Sequence, residues 1–218
     1  MSLEFIESPT EQTTAGTDVV IAALALGSAA YLMRHRTWRA YVWGGAFSAL
    51  AAAGVLGAAT HGLKIGQRMH DLLWRLLAIS FGLMVGCFAS AATADGFGER
   101  AGRRVLPWLL LGAFGFDTVT RRLSRGFIVF IAYEAAALLY ALTIYVRLAQ
   151  GGRMRGAQMT AAGILLSLIA AAIQSSRLHT QIAGLPFDNN GIFHLVQIAA
   201  IPVLVGGIDA GLVEDHGA

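Results

Sequence analysis

Apolar segments long enough to cross a membrane recur along most of the chain, and they limit the possible folds more than any other feature. When the sequence is divided at charged residues and at glycine or proline clusters, seven candidate helices remain, at about 17–34, 40–61, 71–94, 104–118, 126–147, 156–176 and 190–212. All but the fourth have about the length that a span needs. The sequence predicts an all-α polytopic membrane protein, a seven-transmembrane-helix bundle that forms one domain over residues 1–218.

The fourth candidate helix, at 104–118, is the weakest, because it is short and has Pro107 near its start. A bundle with six spans is therefore the alternative. Small residues crowd the second and sixth helices, in SALAAAGVLGAAT and MTAAGILLSLIAAAI, which predicts close helix packing there. The segment SSRLHTQIAGLPFDNN between the last two helices is expected to be a loop.

Composition and charge exclude several classes of protein. The chain is 56% hydrophobic and 13% charged, whereas soluble domains carry roughly 25% charged residues. Lys64 is the only lysine, and the arginines are scattered between apolar segments. We interpret them as topology signals, so nucleic acid is not an expected partner, whereas membrane lipids are.

The distribution of basic residues predicts an orientation. Loops after the first, third and fifth helices hold nine arginines, and loops after the second, fourth and sixth hold six basic residues. Because basic residues accumulate in cytoplasmic loops, the C-terminus is expected in the cytoplasm and the acidic segment 1–16 outside. That segment has no basic n-region of a signal peptide. The arginine-, alanine- and glycine-rich usage is typical of a bacterial inner membrane protein.

Polar residues collect at the expected outer end of the bundle. His61 ends the second helix, His70 and Asp71 begin the third, and Asn190 and His194 begin the last. One hypothesis is a zinc site with His61 and His194 as nitrogen ligands and Asp71 as the third ligand, or as the catalytic residue that orients a bound water. The alternative is that these residues lie at helix ends, where they cap helices and hold neighbouring helices together.

Other cofactors are less compatible with the sequence. Retinal needs a lysine in the last helix, and Lys64 lies in a loop. Haem needs histidines paired across two helices, and only His61 or His70 with His194 offers such a pair, so haem is not expected. Glu134 in the fifth helix has no basic residue within one turn, so it requires a partner from another helix or a proton.

The pattern resembles the CREST superfamily of seven-helix membrane proteins, which includes alkaline ceramidases and the adiponectin and progestin receptors. His61, then Asp71 ten residues later, and His194 in NGIFH match the histidine, aspartate and final histidine of its motifs. The resemblance implies a zinc site and hydrolysis of a lipid or amide. Asn190 stands where that family has the other histidine of an HxxxH pair, and Gly57 where it has a serine. His70 is a candidate for the missing nitrogen ligand.

The acidic N-terminal segment has two interpretations. By the same resemblance, its carboxylates would bind calcium. From the residues themselves, Thr17 and Asp18 are expected to cap the first helix, because hydroxyl and carboxylate oxygens accept hydrogen bonds from helix N-termini.

Two hypotheses about function follow from the sequence. The first is a CREST-like metal-binding membrane protein that acts as a hydrolase on a lipid or another amphiphile. The second is a non-catalytic accessory subunit that packs with other membrane-protein subunits in a respiratory, photosynthetic or transport complex. Clustering of polar residues at one membrane face favours the first, and the missing ligand favours the second.

Overall fold

All seven expected helices are present. The structure, a computed structural model, describes residues 4–120 and 126–214. The helices are α1 (Pro9–Met33), α2 (Trp38–Gly62), α3 (Gln67–Phe97), α4 (Glu99–Thr120), α5 (Gly126–Gln150), α6 (Ala157–Gln174) and α7 (Asn189–Glu214). Within the described residues, six helices, all except α4, are long and apolar enough to cross a membrane, as an integral membrane protein requires.

The six apolar helices form a ring. Each packs against the next in the order α1, α2, α3, α5, α6 and α7, and α7 packs against α1. Small residues permit this approach: Gly54 of α2 lies against Ala22 of α1, and Gly163 of α6 lies against Leu204 of α7. The packing surfaces predicted for the second and sixth helices are therefore confirmed.

Helix α4 lies outside the ring and differs from the other six in composition. It runs antiparallel along α3, with Gly82 beside Ala113 and Gly102 beside Ala94. Its first six residues include four charges, Glu99, Arg100, Arg103 and Arg104. Helix α4 is thus present, but its composition differs from that of the other six helices. The bundle with six spans therefore stays an alternative.

Helix α1 begins earlier than predicted. Ser8 is its N-cap and accepts a hydrogen bond from the Glu11 backbone N–H, and Pro9 occupies the first turn, where its missing N–H costs nothing. The prediction that Thr17 and Asp18 cap this helix is wrong. Both residues lie inside α1, and the second half of segment 1–16, which was expected to precede the first helix, belongs to it.

A short β-hairpin replaces the loop expected between α6 and α7. Strand β1 (His179–Ile182) pairs antiparallel with β2 (Leu185–Asp188), and the turn residues Ala183 and Gly184 both have positive φ, of 52° and 80°. Two positive φ values match the right-handed twist of the strands. The Thr13 hydroxyl of α1 donates to the Pro186 carbonyl at 2.8 Å. The hairpin therefore covers the end of the ring at which α1 and α7 begin, which we call the His194 end.

The opposite end, which we call the Asp95 end, is held by a buried ion pair. Arg39 Nε of α2 donates to Asp95 Oδ1 of α3 at 2.6 Å, and the Tyr145 hydroxyl of α5 donates to Asp95 Oδ2 at 2.5 Å. The Asp95 side chain is fully buried, and that of Arg39 is 11% exposed. Three consecutive helices of the ring thus share one carboxylate.

We expect Asp95→Ala to lower the free energy of unfolding by about 3–5 kcal/mol, because it leaves the Arg39 charge buried without its partner. Unfolding by sodium dodecyl sulfate in mixed micelles, followed by circular dichroism, measures this. Glu7→Gln is the control, since it removes a solvent-exposed pair with Lys64 and should leave the transition unchanged. Equal transitions for both variants would contradict a stabilising role of the Asp95 network.

Candidate functional site

His194 lies where α7 contacts α1, and both of its ring nitrogens face α1. The residue is 6% exposed. Its Nδ1 is hydrogen-bonded to the Thr17 hydroxyl at 2.9 Å, and its Nε2 lies 3.5 Å from Asp18 Oδ1. These two residues of α1 follow each other in sequence, so they bracket the imidazole from one helix. Helix α1 therefore supplies the partners of both ring nitrogens of His194.

Asp18 is a buried carboxylate with an incomplete set of hydrogen bonds. The residue is 6% exposed, and within the described part of the chain its Oδ2 has no hydrogen-bond partner. The hydroxyl of Thr14, one turn earlier on α1, is buried and unpartnered in the same way. Buried polar atoms are nearly always satisfied, so this corner of the ring is suited to accept a further donor or a cation.

His61 brings a second imidazole to the same end of the ring. Its Nδ1 lies 2.6 Å from Glu11 Oε2, and its ring packs edge-on against Trp74 with centroids 5.8 Å apart. His61 follows Gly57 by one turn of α2, and Gly57 lies against Asp18, so the two imidazoles lie at the same end of the ring. We call Glu11, Thr17, Asp18, His61 and His194 the polar cluster. It draws on α1, α2 and α7.

The backbone of α2 makes room for Asp18 at Gly57. A Cβ atom at residue 57 would lie 2.6 Å from Asp18 Oδ2, closer than side-chain atoms tolerate. The carboxylate of α1 thus occupies the space into which a serine at this position would project. Any side chain larger than glycine at position 57 would therefore displace the Asp18 carboxylate.

The other predicted site residues lie apart from the cluster. Asp71 on α3 is 68% exposed at its side chain and accepts a hydrogen bond from Gln67 Nε2 at 2.7 Å. His70 accepts one from Trp74 Nε1 at 3.0 Å. Both sets of contacts stay within α3. Trp74 also packs against His61, so among the described residues His70 is linked to the polar cluster only through this indole. No hydrogen bond or ion pair joins Asp71 to the cluster within that part of the chain.

Asn190 is hydrogen-bonded to a neighbouring helix. Its Oδ1 accepts a hydrogen bond from Gln174 Nε2 of α6 at 3.0 Å, and Asp188 Oδ1 accepts one from the Gly191 N–H at the start of α7. These bonds join α6 to α7 and cap α7, as the structural alternative predicts. Across residues 4–120 and 126–214, no three histidine, cysteine, aspartate or glutamate side chains converge into a ready metal site.

Asp18 and Glu11 were not expected beside the histidines, because the sequence suggested a helix cap for Asp18 and calcium binding for the N-terminal carboxylates. The signal that identifies them is Ser8-Pro9-Thr10-Glu11, which fits the S-x-x-E pattern of a helix N-terminus with proline in its first turn. A helix that starts there carries Asp18 into the apolar segment. A carboxylate at such a depth is a functional candidate by default.

We expect Gly57→Ala to lower the free energy of unfolding by about 1–3 kcal/mol, because the new methyl group displaces the Asp18 carboxylate. In an Asp18→Ala background the same substitution should cost much less, and sodium dodecyl sulfate titrations of the four proteins measure the coupling. Gly27→Ala is the control, since no atom lies within 4 Å of its added Cβ. An equal cost with and without Asp18 would refute the contact.

Comparison with known proteins identifies one family. A model described as a family of unknown function, DUF6962, matches residues 13–213. No curated protein and no solved structure matches the chain. The matched region contains Thr17, Asp18, His61 and His194, and excludes Glu11.

Proposed function

The chain belongs to DUF6962, a family of unknown function, and we propose that it is an integral membrane protein that binds a divalent metal ion in the polar cluster. Its ligands are His61, His194 and Asp18. Arginine counting places this end of the ring at the outer face of the membrane. Two histidines and a carboxylate form a donor set that zinc prefers.

The spacing between His194 and Asp18 carries the proposal. Their Nε2 and Oδ1 atoms are 3.5 Å apart, longer than the roughly 2.7–3.2 Å of a good hydrogen bond. Two ligands at about 2.0–2.1 Å from one tetrahedral zinc ion are separated by about 3.3 Å. The unpartnered Asp18 Oδ2 supports the same conclusion, because a cation would stabilise this buried carboxylate.

The contact between His61 and Glu11 is of the kind that orients a metal-bound histidine. Ligating histidines usually donate their second N–H to a carboxylate, which sets the tautomer and orients the ring. With Nδ1 engaged by Glu11 Oε2, Nε2 is left as the donor for an ion. Since the three side chains do not converge in the described residues, binding requires the His61 ring to approach the Asp18–His194 pair.

The proposal replaces Asp71 with Asp18 as the third ligand. Asp71 is exposed and bonded within α3, whereas Asp18 is buried beside His194. When bound with an open fourth position, zinc supplies an activated water and Lewis acidity. The resemblance to the CREST superfamily extends the proposal to hydrolysis of a lipid or amide at this membrane face. Glu11 is the partly exposed carboxylate that contacts His61 there.

Elemental mass spectrometry of the detergent-purified protein tests the proposal. We expect about one zinc ion per wild-type chain, and its loss in Asp18→Asn and His194→Gln, because each removes one of three ligands. Asp71→Asn and His70→Gln are the matched controls and should keep the metal. Circular dichroism of every variant shows whether the helices persist.

Two outcomes would overturn this assignment. Metal loss in Asp71→Asn with retention in Asp18→Asn would restore the ligand set expected from sequence. Absence of metal from the wild-type protein would remove the metal proposal and leave the accessory-subunit hypothesis. Co-purification of partner subunits at fixed stoichiometry in mild detergent is the measurement for that case.

A further inference from the structure

A cavity of about 60 Å³ lies inside the ring, between the His194 end and the Asp95 end. Five of the six ring helices enclose it: α2, α3, α5, α6 and α7. Its lining is mostly apolar and includes Phe47, Phe88, Met84 and Leu138, together with three polar side chains, Glu134, Ser167 and Gln197. A carboxyl group in such surroundings is costly unless something compensates for it.

Glu134 has no compensating partner within the described part of the chain. The residue is 5% exposed, and no hydrogen bond or ion pair to its carboxyl is formed by the residues that the structure describes. Ser167 and Gln197 satisfy each other, since the Ser167 hydroxyl donates to Gln197 Oε1 at 2.9 Å. Glu134 lies eight residues into α5, about 12 Å along the helix from its start. The Glu134 carboxyl is therefore buried at membrane depth and faces the cavity.

The lining determines which cation suits this carboxyl. Inorganic cations such as calcium or magnesium require about six or more oxygen ligands or retained waters, and the cavity offers only three polar side chains. Phe47 and Phe88 present aromatic rings, and aromatic rings attract organic ammonium ions through their π faces. One carboxylate, two phenyl rings and aliphatic walls match an ammonium group that carries a short apolar substituent.

We propose that this cavity binds a small alkylammonium ion, with its ammonium between the Glu134 carboxylate and the rings of Phe47 and Phe88 and its apolar part against the aliphatic walls. Volume limits the ligand: an engineered cavity of about 150 Å³ accommodates benzene, so this cavity admits an ion of only a few heavy atoms. The site shares no residue with the polar cluster and does not depend on the proposed metal.

Ligand-dependent thermal unfolding in detergent tests this inference, with ethylammonium as the probe. Ethanol serves as the uncharged control and tetrabutylammonium as the oversized one. We expect ethylammonium to raise the Tm of the wild-type protein saturably, and the controls to leave it unchanged. Glu134→Gln should weaken the apparent affinity by about tenfold or more, since the amide keeps the shape and removes the charge.

A second variant keeps the test decisive if Glu134→Gln does not fold. Ala137 lines the cavity on α5, and Ala137→Leu should block binding by filling space without altering the carboxyl. Its neighbour Ala136 is exposed, so Ala136→Leu is the matched control and should bind normally. Asp18→Asn should also bind ethylammonium normally, which separates this site from the polar cluster. Undiminished ethylammonium binding by Ala137→Leu or Glu134→Gln would overturn the inference.

Discussion

Contact between the first and last helices is the constraint on which the rest of the architecture depends. In lipid, helices gain little from apolar burial against each other, so close packing and interhelical hydrogen bonds decide which helices associate. At the His194 end, α1 holds α7 through Thr17 and Asp18. At the Asp95 end, His35 in the turn that follows α1 has its Nε2 2.6 Å from Asp209 Oδ1 of α7. Because α1 and α7 are joined at both ends, the six apolar helices close into a ring with an interior.

Three buried carboxylates at different depths of this ring are stabilised to different extents. Asp95 has an arginine and a tyrosine, so its charge is matched and its role is to hold α2, α3 and α5 together. Asp18 has one imidazole at 3.5 Å and an unsatisfied oxygen. Glu134 faces an apolar cavity without a partner among the described residues. Since an unmatched buried charge is costly, a bound cation would stabilise the two less satisfied carboxylates, Asp18 and Glu134, most.

Much of the helical framework could be predicted because hydrophobic periodicity and length act locally. The seven helices, the small-residue surfaces of α2 and α6, and the location of His61 and His194 at the same end of the bundle follow from it. The start of α1 was misplaced because the threonine-rich segment before Val19 has too little hydropathy to register as apolar. The hairpin was missed because Ala183-Gly184 is a weaker turn signal than Asn-Gly or Asp-Gly.

Apolar helices of membrane-spanning length, with histidines and carboxylates at one end of them, can be predicted from the amino-acid sequence. These properties depend on each segment alone, through its hydropathy and the position of its polar residues. Three features emerge from helix packing instead: Asp18 rather than Asp71 lies beside His194, the Asp18 carboxylate occupies the space next to Gly57, and Glu134 faces a cavity. Each of these features depends on which helices are neighbours and on how each helix is rotated about its axis. Residue spacing within one helix does not specify the distance between side chains on different helices.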